Sequence, residues 1–160
     1  MMRILFSFFL IIITLNSPLF SQVQVNLSDR TAVSGSDVLP GVPDVLKEKM
    51  NRFFTNLIQT EVDTAFSILL ENSRLTEKKD QLKALIKQTQ LANDRHGDIR
   101  DYEAVNSEFV TESYLRLRYI ALHKYAPMRG IFTYYKSPEK GWIVVNVKFD
   151  EETEYFFTDE

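Results

Sequence analysis

Few residues of this 160-residue chain could do chemistry: there are two histidines and no cysteine. His123 lies in the run Tyr114 to Tyr125, where alternation puts it on the odd-numbered face with Leu115, Leu117, Tyr119, Ala121 and Tyr125. That face is the more apolar of the two, and a histidine on it could act as a general base. It could equally be a hydrogen-bonded residue near a strand end, and no second catalytic group accompanies it at a recognisable spacing. Arg116 and Arg118 occupy the opposite face, with Arg129 and Lys136 in the next strand region. Together they could hold a carboxylate ligand, or they balance Glu103, Glu108 and Glu112 of the preceding strand across a solvated sheet face. Asp94, His96 and Asp98 cluster as metal ligands do, yet Asn93 to Asp98 is also ordinary turn composition and lacks the oxygen spacing of a calcium loop. No metal site is expected. No Gly-rich phosphate loop, nucleophile elbow or paired-histidine motif occurs. Without cysteine, thiol catalysis, thiolate metal sites and disulfide redox chemistry are all excluded.

The elements that position these residues are legible from periodicity. Leu46, Met50, Phe53, Phe54, Leu57 and Ile58 make one helical stripe from Asp44, which the pattern assigns as its N-cap after Pro43. Val62, Ala65, Phe66 and Leu69 mark a second helix, interrupted at Asn72-Ser73. Thr76 is placed to cap a third, with Glu77 and Asp80 near its positive end and Leu82, Leu85 and Ile86 as its buried stripe. Gly97 suits the turn that ends it. The period then switches to two, and residues 99–110, 113–125, 129–136 and 141–149 read as four strands rich in Tyr, Phe, Val and Ile. Short connections such as Lys136 to Gly141 make them an antiparallel meander. The fold class is therefore α+β: three N-terminal helices packed on a curved four-stranded sheet.

The chain opens with Arg3 followed by the mostly apolar run Ile4–Leu15 and a more polar stretch from Asn16, the form of an export signal. Residues 1–21 are assigned to it, with Gln22 as the new N-terminus. The run is short for a membrane span; an uncleaved signal would make the protein an envelope-tethered accessory factor, and membrane contact is expected only in that case. Residues 22–43 have little hydrophobic periodicity and contain Ser34-Gly35-Ser36, Pro40, Gly41 and Pro43, the composition of a flexible lead. The α+β domain is assigned to 44–150, and an acidic then aromatic tail to 151–160. Without residues 1–21, which carry Arg3 and no acid, 18 basic residues face 22 acidic ones, a formal charge of −4. A mildly acidic domain is unsuited to neutralising phosphates, so no nucleic-acid partner is expected. The expected location is the bacterial periplasm or the exterior.

The order of elements resembles the nuclear transport factor 2 superfamily, whose cystatin-like α+β fold also includes ketosteroid-isomerase-like proteins. The resemblance covers about residues 44–150 and rests on Phe53-Phe54, Val62-Asp63-Thr64-Ala65-Phe66 with Leu69-Leu70, Gly97, Tyr102, Phe132-Thr133-Tyr134-Tyr135 and Gly141-Trp142-Ile143-Val144. It implies a cone-shaped cavity between sheet and helices, which in such proteins is an active site, a ligand pocket or simply core. Ketosteroid-isomerase-like enzymes work with a cavity acid and a tyrosine or acidic oxyanion donor; Asp63, Tyr102, Tyr119 and Tyr134 are the nearest candidates here, alongside His123. Asp63 could instead favour a helix dipole, and strand tyrosines usually pack their rings with a wet hydroxyl. Arg116, Arg118 and Trp142 are the ligand-contact candidates. The expectation is a noncatalytic exported domain that binds a small molecule in the cone or a protein through its sheet, with no cofactor, as a homodimer. The alternative is a small cofactor-independent isomerase or hydrolase.

Overall fold

The computed structural model describes residues 39–157. The assigned signal, residues 22–38 of the lead and residues 158–160 of the tail lie outside the described residues. Helix α1 (Asp44–Ile58) buries Leu46, Met50, Phe53, Phe54 and Leu57, and α2 (Val62–Leu69) buries Val62, Ala65, Phe66 and Leu69, as the periodicity predicts. Two capping assignments are corrected. Pro43 occupies the N-cap of α1 and Asp44 is already helical, an acid in the first turn whose side chain caps nothing. Thr76 lies inside a separate 3-10 turn, Arg74–Glu77, and α3 (Lys79–His96) begins beyond it with no side-chain cap. Ser73 starts that turn instead: its hydroxyl accepts from the Leu75 N–H at 3.1 Å and donates to the Val144 carbonyl at 2.6 Å. A side chain that bridges a turn to a distant strand cannot be recognised from local sequence.

Leu39 and Val42, inside the stretch read as a flexible lead, are buried in the core. Packing therefore begins before the helix that periodicity marks. Helix α1 ends in a Schellman arrangement: the Glu61 N–H bonds the Asn56 carbonyl at 2.8 Å and the Thr60 N–H bonds that of Leu57 at 3.0 Å. Thr60 pays for this with φ 63°, a left-handed conformation that costs an L-residue about 1–2 kcal/mol and that glycine adopts freely. Glycine also loosens the unfolded chain, so Thr60→Gly is expected to stabilise the domain by a net amount of about 0.5–1 kcal/mol, read as a raised urea midpoint at constant slope. Gly97 ends α3 at φ 76° and ψ 169°, and a Cβ there would lie 2.7 Å from that of Lys124.

Strands β1 (Ile99–Thr111), β2 (Tyr114–His123), β3 (Pro127–Ser137) and β4 (Gly141–Asp150) pair antiparallel in the order β1-β2-β3-β4. The molecule is thus α+β, with three helices followed by a four-stranded antiparallel sheet. The odd face of β2 is buried at Leu115, Leu117, Tyr119 and Ala121 against Phe132 and Tyr134 of β3. Tyr125 departs from that face: β2 ends at His123, and Tyr125 is exposed in the following turn. Strict alternation also breaks in the outer strands. In β4, Trp142 and Val144 face the core, then an irregularity at Val145 shifts the inward set to Val147 and Phe149. In β1 an irregularity at Val105 moves it from Tyr102 and Ala104 to Ser107 and Phe109. The bulges let apolar residues of both parities reach one face.

Candidate functional site

The residues proposed for acid–base work fall in three places: the tyrosines beside one another in the core, Asp63 on α2 and His123 at the end of β2. Tyr119 and Tyr134 are buried among Phe53, Phe54, Phe66 and Phe132, whose ring centroids lie 5–6 Å apart at steep angles in most pairs. Tyr102 stacks on Phe54 at 4.4 Å. Burial pushes the phenols of Tyr102, Tyr119 and Tyr134 above their ordinary pKa, with a smaller push from Asp101, Tyr102 and Tyr119 respectively, so each holds its proton. The Tyr134 hydroxyl donates to the Met50 sulfur at 3.1 Å, a weak acceptor that completes a packed interior. Asp63 is an exposed first-turn acid of α2, facing water.

His123 sits at the other end of β2, opposite Ile99. Its ring approaches the Gly97 carbonyl through Nδ1 at 2.7 Å; a carbonyl only accepts, so Nδ1 carries the proton and the neutral ring keeps its lone pair on Nε2. Burial lowers the His123 pKa against that bond, the charge of His96 lowers it further and Asp98 raises it. The void it lines with Leu57, Ile99, Met128 and Phe149 is about 40 Å³, room for roughly one water. The backbone holds the ring, and no carboxylate hydrogen-bonds it among the described residues.

The arginines are paired with acids. Glu108 accepts from Arg116 at 3.5 Å and Arg118 at 3.0 Å, and Asn106 holds Arg118 at 3.1 Å, all on the outer sheet face. Arg129, on the same face but farther along it, is covered. Only 9% of its side chain is exposed; it makes two 2.9 Å bonds to Asp150 and one of 2.8 Å to Glu152, and the Tyr155 ring covers it at 5.0 Å. Between those acids Glu151 points the other way, to Arg95 at 2.7 Å and His96 at 3.0 Å at the end of α3. The Asp150-Glu151-Glu152 run thus clasps both the outer sheet face and the last helix. The extended alternation of those three acids was a signal for this, had their partners been known. With His96 so engaged and Asp94 and Asp98 exposed, no group of three metal-ligating residues forms among the described residues. Trp142 packs its half-buried ring near Phe109, 6.5 Å away.

The space of ligand size lies where no candidate was sought. Leu70, Leu75, Leu82 and Leu85 on one side and Val145, Asn146 and Val147 of β4 on the other bound an open groove of about 390 Å³, with Lys78, Gln81, Ala84 and Gln88 at its margin. It is at the lower end of the range that holds small ligands, ~300–1,000 Å³. Two features border it. Helix α3 buries only Thr89 along 18 residues, leaving Leu82, Leu85 and Ile86 half-buried. The Ser73–Val144 bond pins the 3-10 turn that precedes α3 to β4. The stripe Leu82, Leu85, Ile86 is legible in sequence, but how far it stands off the sheet is not.

No protein-family model matches the chain, and no curated protein and no solved structure matches it significantly. Among the described residues, no helix is long and apolar enough to cross a membrane.

Proposed function

We propose that this chain is a noncatalytic, exported binding module with the cystatin-like architecture of the nuclear transport factor 2 superfamily, and that its ligand seat is the groove between α3 and β4. The observation that carries the reading is the contrast between two spaces. The interior between helices and sheet, where the superfamily's cone would lie, is packed with the rings of Phe53, Phe54, Phe66, Tyr119 and Phe132. The groove is open, apolar at its floor and polar at its rim. Three helices followed by an antiparallel meander support the architecture, and the apolar run after Arg3 supports export. An isomerase or hydrolase would need Asp63, a tyrosine or His123 around one shared space, and these side chains lie in separate surroundings.

Nile red, a neutral dye that brightens in apolar surroundings, tests the seat. Wild type is expected to bind it saturably. Ala84 is exposed at the groove margin, so Ala84→Trp is expected to block the groove and abolish the enhancement while the thermal midpoint stays within about 2 °C. Undiminished dye binding by the folded variant would reject the groove as the seat.

A further inference from the structure

We infer that the groove takes a single-chain anionic amphiphile, with its hydrocarbon against Leu70, Leu75, Leu82, Leu85 and Val147 and its anionic head at Lys78; this rests on the groove being the ligand seat. Three observations select that class. First, the floor is aliphatic and the lining polar groups are the amides of Gln81, Gln88 and Asn146 together with one charged side chain, Lys78. Amides at a rim suit a ligand whose body needs no hydrogen bonds, since an apolar floor gives none.

Second, the one charged side chain lining the groove, Lys78, is positive, although Glu77 is its sequence neighbour. Lys78 has no ion-pair partner among the described residues, whereas Lys49 pairs with Glu71 and Lys148 with Asp150. Lys78 immediately precedes α3, whose first turn has no side-chain cap, so the positive end of the helix adds to its charge. Asp80, in the same turn, is exposed and offsets part of it. A carboxylate or similar head group would complete the arrangement, and a cationic head would oppose it.

Third, β4 is poorly prepared for the other occupant an edge groove invites, an extended peptide added as a fifth strand. The irregularity at Val145 breaks the ladder at the middle of the groove, and the Val144 carbonyl is already taken by Ser73. Both devices blunt a sheet edge against strand addition. Side-chain contact with a flexible chain remains available.

Calorimetric titration with dodecanoate below its micellar concentration is the test, set against dodecyltrimethylammonium and acetate. Dodecanoate is expected to bind saturably at one site and to displace Nile red. The cationic amphiphile is expected to bind at least about tenfold more weakly, and acetate not at all. Lys78→Glu, at an exposed position, is expected to weaken dodecanoate by about tenfold or more with unchanged circular dichroism. Equal affinity for both head groups, or no loss in Lys78→Glu, would overturn the assignment of the anion to Lys78. Dye binding that dodecanoate fails to displace would reject the amphiphile and leave the groove as the seat, whereas absence of both would remove the two together.

Discussion

Phe53→Ala is expected to destabilise the domain by about 3–5 kcal/mol. Phe53 is fully buried and its ring meets Phe54 at 5.1 Å, Phe66 at 5.5 Å, Phe132 at 5.6 Å and Phe149 at 6.2 Å. It joins α1, α2, β3 and β4 in one contact. Removing it takes away apolar burial and leaves a cavity that rigid neighbouring rings cannot collapse into, a combined loss of about 3–5 kcal/mol. Domains of this size hold roughly 5–15 kcal/mol in all, and this one has no disulfide to fall back on. Urea unfolding followed by circular dichroism gives the cost directly. Phe53→Leu, which keeps most of the volume, is expected to lose less than half as much. A cost below about 1 kcal/mol for the alanine variant would mean that the aromatic cluster is not the centre of the core.

The second large effect is expected at Arg129. Its guanidinium is almost wholly covered, and Arg129→Met removes the charge while leaving the largely buried Asp150, and Glu152, with the exposed Lys148 as their remaining partner. Breaking such a pair from one side costs about 3 kcal/mol, most of it the desolvation of the stranded acid. Arg129→Met combined with Asp150→Leu is therefore expected to recover much of the loss. The effect depends on pH. Burial works against the Asp150 charge, but hydrogen bonds from Arg129, Lys148 and the Glu152 N–H outweigh it and hold the carboxyl below its ordinary range. A native pKa below the unfolded one means that, on acidification, the unfolded chain takes up the proton first. The contribution is therefore complete above about pH 4 and is lost as pH falls through the lower native value. The difference between wild type and Arg129→Met should shrink from pH 7 to pH 3. His123, whose pKa is lowered, weakens both proteins below about pH 6.5 and cancels in the difference. A difference that does not change with pH would show that Arg129 acts through packing alone.

Much of the fold is legible because helices and strands write their buried faces at different periods. The α1 and α2 stripes, the odd face of β2 and the turn at Gly97 are local facts, each set by residues a few positions apart. What fails is whatever depends on a distant partner. Thr76 has the chemistry of a cap, but Ser73 is the residue with a carbonyl of β4 within reach. Arg116, Arg118 and Arg129 look alike in sequence; two share Glu108 in water while the third is sealed beneath Asp150, Glu152 and Tyr155. Asp63, His123 and the tyrosines are plausible catalytic types that the chain path sends to different surroundings.

By itself, then, the sequence determines the class of the domain, its element order, its lack of thiol chemistry and the apolar N-terminal run on which the proposal of export rests. These follow from composition and from spacing over one or two turns. Tertiary structure alone decides which space is open. The interior closes because rings from α1, α2 and all four strands interlock, and the bulges at Val105 and Val145 turn residues of opposite parity toward them. The groove lies beside β4 where α3 leaves Leu82 and Leu85 only half-buried, next to a 3-10 turn bonded to that strand. Whether space is filled depends on the sum of many long-range contacts at a resolution finer than a methyl group, and no local pattern carries that sum.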